Sequence, residues 1–300
     1  MSLIKRFGRR LAAFGAVAAT ACGTAPAAQP KAASPAMWKV ADADTTIYLF
    51  GTIHMLPKDT KWRSPVFDQA AGSADALVVE TVIDESNPAA TVAELFKLAV
   101  SEGLPPLAER VKPEKRKALE AAIAKSGLPA PFYDKLETWA AGFMLLGVQF
   151  KELGLDPGSG VESALKKQFA DGKKPIDQLE TNAEQLGFFD KLSEDAQRKF
   201  LDGVLEDTGE MKEQFGGMLN SWTQGDVVGI AKSFNAEFGD APELVDMLLA
   251  KRNANWARWV QGRLDKPGTV LVAVGAGHLA GDQSVLNMLE KQGLKVTRVQ

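Results

Sequence analysis

Cysteine and histidine are almost missing from this chain. Among 300 residues there is one cysteine, Cys22, and there are two histidines, His54 and His278. A lone cysteine excludes a disulfide framework and any cysteine-rich zinc site. Histidines so far apart exclude the HExxH pattern, which places both ligands on one helix. Gly-x-Ser-x-Gly is absent, and Cys22 falls where a leader would be cut, so serine or cysteine catalysis is poorly supported. No P-loop occurs, and Gly275-Ala276-Gly277 lacks the third glycine and the downstream context of a dinucleotide fold. No stretch is apolar over the roughly 20 residues that cross a bilayer. Nor is positive charge in excess, with 35 Lys and Arg against 38 Asp and Glu.

What is present begins with a leader. Lys5, Arg6, Arg9 and Arg10 precede an alanine-rich apolar stretch from Leu11 to Thr20, and Ala19-Thr20-Ala21 offers a small-residue cleavage site. That is the layout of a secretory signal over residues 1–21. Arg9-Arg10 stands in a context that fits a twin-arginine signal poorly. Ala19-Thr20-Ala21-Cys22 resembles a bacterial lipoprotein box, which makes Cys22 the expected lipidation site and a lipid the expected membrane anchor. Gly23 to Ala36, rich in Ala, Pro, Lys and Ser, reads as a tether behind it. Removing residues 1–21 leaves 31 basic against 38 acidic residues, a mature net charge of about −7. Such a surface argues against nucleic acid and against a polybasic membrane contact. The expected location is the bacterial cell envelope, as a periplasm-facing lipoprotein or a secreted protein.

The two histidines share a context. Ile47-Tyr48-Leu49-Phe50 runs into Gly51, and His54 comes three positions later; Val270 to Val274 runs into Gly275, and His278 comes at the same spacing. Glycine is 27 of 300 residues, so each coincidence has a chance of about 9%, and both together under one in a hundred. Each apolar run has the length of a buried strand. The glycines are expected to let the backbone turn sharply and to leave room beside the strand end. Both histidines are thereby placed past the carboxyl ends of parallel strands, where open α/β sheets bind ligands.

Around these motifs the pattern is mixed. Met37 to Val40 and Thr45 to Phe50 read as a hairpin, Ser64 to Ala71 as a helix, and Ala76 to Val79 as a buried strand closed by Glu80. A right-handed crossover makes that strand parallel to the first motif strand. From about 87 to 265 the period is helical: a helix opening at Thr91, another at Pro113 ending near Gly127, and a continuous one from Phe132 to Phe150. A loop over Gly154 to Gly160 leads into a helix from Val161 to Asp171. Lys174 to Glu180 reads as a short strand, and Thr181 to Glu184 as a capping box. Ser193 to Trp222, Val227 to Phe238 and Glu243 to Arg263 continue as helices. The second motif strand, a helix from Ser284 to Gln292 and a last strand from Lys295 to Val299 close the chain. The fold class expected is α/β, with a split sheet core from the N- and C-terminal portions and a mostly helical insertion between them, forming one domain over 37–300. The insertion is expected to cap one end of the sheet.

Imidazole and carboxylate together suit Zn²⁺, Mn²⁺ or Co²⁺. His54 and His278 are the expected ligands, converging from neighbouring strands. Glu80, also at a strand end, is the leading carboxylate, as ligand or general base. Glu162 is the next candidate ligand, although an acid in a first helical turn also complements the helix dipole. Glu180, just before a helix N-cap, reads as local structure.

Several blocks resemble the TraB/PrgY/GumN family, whose relatives include TIKI-type metalloproteases. Leu49 to Pro57 is similar to its first GxxH signature and Ala76 to Glu80 to its second block. Gly160-Val161-Glu162 and Pro175 to Thr181 resemble its middle blocks, Arg252-Asn253 its Arg-Asn pair, and Gly275 to Gly281 its second GxxH signature. The resemblance spans about residues 37 to 300. It implies a role for Arg252 in the site, where a guanidinium holds a peptide carboxylate or a developing oxyanion.

These residues are consistent with two main classes of function. One is an extracytoplasmic metal-dependent hydrolase, most readily a peptidase on peptide or protein substrates, with Glu80 and Arg252 in catalysis. The other, which the resemblance also allows, is a non-catalytic peptide-binding or envelope polysaccharide-export accessory protein. Haem or iron held by the histidines is a third.

Overall fold

Val270-Leu271-Val272-Ala273-Val274 is apolar without a break because it lies at the centre of a sheet covered on both faces, and all five residues are buried. The computed structural model describes residues 33–82, 93, 96–238 and 241–300. The leader, Cys22 and most of the expected tether lie outside the described residues. So does most of the opening of the helix expected from Thr91.

Eight strands occur among the described residues: β1 (Met37–Ala41), β2 (Thr45–Thr52), β3 (Leu56–Pro57), β4 (Ala76–Val79), β5 (Leu155–Asp156), β6 (Ile176–Gln178), β7 (Gly268–Gly275) and β8 (Thr297–Arg298). Six of them form one mixed sheet in the order β6-β4-β7-β2-β1-β8. The first four run parallel, while β1 is antiparallel to both β2 and β8. The fold is thus mixed α/β, built from N- and C-terminal strands with a helical middle region, as the sequence implied. The middle also supplies an edge strand, β6. The remaining strands, β3 and β5, pair antiparallel beside the first motif, within what the sequence showed only as loops.

The main helices are α1 (Pro65–Ser73), α2 (Arg116–Ser126), α3 (Ala130–Tyr133), α4 (Thr138–Glu152), α5 (Val161–Asp171), α6 (Asn182–Asp190), α7 (Glu194–Val204), α8 (Thr208–Thr223), α9 (Val227–Phe238), α10 (Pro242–Val245), α11 (Lys251–Arg263) and α12 (Val285–Lys291). None of the described helices is long and apolar enough to cross a membrane.

Alternation along the strands sends side chains to opposite faces. Phe50, Leu77, Val79, Leu271 and Ala273 pack with Phe67 of α1, with Val161 and Leu165 of α5, and with Trp62 and Trp222. Ile47, Leu49, Val78, Val270, Val272 and Val274 pack on the other face with Trp256, Ala257 and Val260 of α11 and Val285 and Leu289 of α12. A third cluster, around Trp139, Leu145 and Leu201, is internal to the helical middle.

Three sequence expectations are corrected. The helix expected from Phe132 to Phe150 is broken between α3 and α4. Arg110 takes the carbonyl oxygens of Pro105, Leu136 and Asp134 at 2.6, 2.6 and 2.7 Å, and carbonyls spent on a guanidinium are not free for a helical ladder. The helix expected from Glu243 to Arg263 carries a π-turn at Asp246–Ala250; its extra residue rotates the turns beyond it, so that Arg252 and Asn253 are both buried. The tether's last residues are also held in place: the Ser34 N–H donates to Thr223 O (2.8 Å), and Pro35 O accepts from Gln300 (2.6 Å).

Candidate functional site

Parallel strands point the same way, so their carboxyl ends gather on one edge. Across β6, β4, β7 and β2, in that order, these ends lead to Glu180, Glu80, His278 and His54. β2 and β7 are direct neighbours, with Gly51 opposite Val274 and Thr52 opposite Gly275. α5 adds Glu162 from its first turn, and α11 adds Arg252 and Asn253 from the other face. His54, Glu80, Glu162, Arg252 and His278, the residues expected in the site, therefore converge.

Neither motif glycine has the left-handed backbone that a sharp turn would need. Their role is close approach. A Cβ on Gly51 would stand 3.1 Å from the Ala276 Cα, and one on Gly275 would meet Glu80 Oε1 at 3.2 Å, His54 Nε2 at 3.4 Å and His278 Cδ2 at 3.6 Å. The space beside Gly275 is the focus of the site.

The imidazoles are held alike. His54 Nδ1 donates to Glu162 Oε1 (2.7 Å), which also accepts from the Thr52 hydroxyl. His278 Nδ1 faces Asn253 Oδ1 at 2.6 Å. The Asn253 amide nitrogen is committed to Gln283 O (2.7 Å), so Oδ1 must accept and His278 Nδ1 must carry the proton. Both Nε2 atoms are left facing Glu80 Oε1, at 4.0 Å from His54 and 3.9 Å from His278. The two nitrogens are therefore no more than about 8 Å apart. A side-chain nitrogen fixed through its partner nitrogen is the usual arrangement of a histidine ligand.

Glu80 is the hub. Oε1 accepts from the Gly275 N–H (2.7 Å), and Oε2 from Arg252 (2.6 Å) and Gln185 (3.2 Å). Arg252 also pairs with Glu180, Nε to Oε1 at 2.9 Å. Its remaining donor lies against Leu248 O and His278 Nε2, both at 3.2 Å. The guanidinium further lies 4.7 Å over the Trp256 ring, which packs 4.3 Å from the His278 ring.

These contacts set the charges. Burial opposes ionisation of Glu80, but the facing imidazoles of His278 and His54, Arg252 and the Gly275 N–H hold its carboxyl down to about 2. Burial pushes His278 down to about 3, with the Glu80 charge opposing and Arg252 reinforcing, which keeps the ring neutral. Desolvation also pulls on His54, but Glu162 and Glu80 outweigh it and raise the ring to about 9. Burial likewise disfavours the Glu162 anion, and the charge and hydrogen bond of His54 lower it nonetheless. Glu180 is raised, its burial outweighing Arg252.

The donor set fits a divalent ion in its chemistry: two imidazole nitrogens and a carboxylate oxygen around a cleft kept open by glycine, with a buried Glu162 oxygen, Oε2, that has no partner. As they stand, no three His, Cys, Asp or Glu donors among the described residues enclose an ion. Donors sharing an ion at about 2.1 Å lie roughly 3–3.5 Å apart, and both Nε2 atoms stand farther than that from Glu80 Oε1, at 4.0 and 3.9 Å. The His54 side chain is the exposed member of the set, at 60%, and it is tied to the protein through Nδ1.

Sequence reasoning assigned Glu180 to local structure and did not single out Thr52 or Gln185. Glu180 carried a signal, because it closes a short parallel strand as Glu80 does. Gln185 carried none, since a glutamine four residues after a helix cap is ordinary.

Strand-end histidines facing one buried glutamate on a doubly covered sheet define an α/β protein with a histidine–carboxylate centre. The model of the TraB/PrgY/gumN family matches residues 36–298, and the chain belongs to that family. It is 25% identical over 246 residues to the uncharacterized protein YbaP of Escherichia coli (strain K12), covering 81% of this chain and 87% of that protein, and equally to YbaP of Shigella flexneri. No solved structure matches.

Proposed function

We propose that this protein is a metal-dependent hydrolase of the bacterial cell envelope with peptides as its substrate class, anchored by a lipid on Cys22. The observation that carries this reading is the convergence of both Nε2 atoms on Glu80 Oε1, with each Nδ1 tied to a fixed acceptor. His54, His278 and Glu80 would hold the ion, which is Zn²⁺, Mn²⁺ or Co²⁺ by ligand chemistry. When bound, such an ion supplies Lewis acidity and acidifies water at neutral pH.

The chain's own groups do the rest. Asn253 keeps the His278 lone pair on Nε2, where Arg252 now donates, while Glu162 anchors His54 through Nδ1, so an ion at His54 Nε2 would displace the proton that the ring carries below about pH 9. Arg252, with its donors spent on Glu80, Glu180, Leu248 O and His278, is a positioning residue for Glu80 rather than a holder of substrate. The exposed edge of His54 marks the side on which a peptide enters.

The test is to strip the purified protein with a chelator, restore each of the three ions, and follow cleavage of a peptide library by mass spectrometry. The expected result is ion-dependent cleavage that Ala at either histidine abolishes. Ion binding or peptide binding without turnover would favour the accessory-protein reading, and no response to any of the three ions would overturn the metal reading.

A further inference from the structure

Gln185 stands where the site has no obvious need of another polar group. The capping box fixes the first turn of α6, with the Thr181 N–H on Glu184 Oε2 (2.7 Å) and the Glu184 N–H on Thr181 Oγ1 (3.2 Å). Gln185, the next residue, bonds back to Thr181 O (3.0 Å) and turns inward, half-buried. Its side-chain nitrogen donates to Glu80 Oε2 at 3.2 Å and to Glu180 Oε1 at 3.1 Å. Both neighbours can only accept, which fixes which end of the amide faces them. Arg252 donates to the same two oxygens. Two carboxylates thus share one guanidinium, and a neutral amide completes the bridge without adding charge.

We propose that Gln185 is a positioning residue: its bridge from Glu180 to Oε2 of Glu80 keeps the two carboxylates together on Arg252 and leaves Oε1 of Glu80 turned toward His54 and His278. Without the bridge, the two carboxylates repel with only Arg252 between them, and Glu80 is held by the Gly275 N–H on Oε1 and by Arg252 on Oε2 alone. The bridge makes Glu80 a one-oxygen ligand, and it reaches the site from a helix that carries none of the proposed ligands.

This rests on the metal reading, and the experiment separates the two. Co²⁺ is titrated calorimetrically into the chelator-stripped full chain, and its visible absorption bands are recorded for the wild type, Gln185→Met, Glu180→Gln and the double variant. Loss of an outer partner of a metal ligand costs roughly ten- to hundredfold in affinity. Gln185→Met should show that loss with shifted Co²⁺ bands, while its metal-free circular dichroism and melting stay those of the wild type. In the Glu180→Gln background, where an amide at 180 can donate to Glu80 Oε2 in its place, the same substitution should cost only a fraction as much. Unchanged affinity and bands in Gln185→Met, or an equal loss in both backgrounds, would overturn the proposal and leave the metal reading standing. A wild type that takes up no Co²⁺ would overturn both.

Discussion

The two GxxH motifs begin alike and end in different surroundings. Each lies just past the carboxyl end of a central parallel strand, and the strands lie side by side. Yet the His54 side chain is 60% exposed and that of His278 only 7%. After His54 the chain enters β3, which pairs with β5; His278 itself stands in a 3-10 turn (Ala276–Leu279) with its ring against Trp256 of α11. One ring is drawn toward the cation by its carboxylate partner, and the other is kept neutral by burial beside an arginine. The repeat therefore fixes where each imidazole stands, and the packing of distant helices fixes its protonation and mobility.

The comparison breaks most sharply at the histidines themselves. His54→Ala and His278→Ala should both abolish ion-dependent hydrolysis. Only His278→Ala should destabilise the fold strongly, by about 1–3 kcal/mol, because it leaves Asn253 and Arg252 with unmet buried hydrogen bonds. His54→Ala should cost less, because its ring is exposed and the Glu162 carboxyl it leaves behind keeps the Thr52 hydroxyl and can take up a proton. Denaturant titration of the metal-free variants measures this, and equal losses would refute the division between them.

The glycines sharpen it. Gly51→Ala presses a methyl on the Ala276 backbone, and overpacking of this kind costs about 1–3 kcal/mol. It should lower the melting temperature more than the ion affinity. Gly275→Ala places its methyl among Glu80, His54 and His278, so it should weaken ion binding at least about tenfold and change the melting temperature less. Calorimetry and thermal melts of both variants decide between these patterns.

The two rings also differ in the pH dependence they give to metal-free stability. His278 is lowered to about 3 in the fold, so the unfolded chain takes its proton first and stability falls as pH drops from about 6.5 toward 3. Glu80, held at about 2, adds to that loss below about pH 4.5. His54 is raised to about 9, so its contribution is whole below about pH 6.5 and fades as pH climbs through 9. His278→Asn should flatten the acid limb and His54→Asn the alkaline one, in melts recorded with chelator present.

Much of the architecture was legible because its signals are local. The apolar runs, the glycine–histidine spacing and the capping box at Thr181 each depend on a few neighbouring residues. The strand-closing glutamate at 80 was visible for the same reason. What stayed hidden depends on partners far along the chain. Arg110 breaks a helix more than twenty residues downstream, and just past the π-turn at Asp246–Ala250 Arg252 meets Glu180 and Glu80, which lie far back along the chain. Glu180 looked like cap chemistry because nothing near it in sequence is a cation that pairs with it.

The sheet order has a consequence for how the molecule is made. β7 lies between β4 and β2, yet it leaves the ribosome more than 180 residues after either. Until then β2 has only β1 beside it and β4 only β6, so each presents an open edge at what will become the middle of the sheet. Pairing over so long a separation is slow, and the nascent chain needs its bare edges shielded while it waits. A product truncated before Gly268 would keep those edges and lose His278 with them, so the same missing strand that leaves a chain prone to aggregate also leaves it without a site.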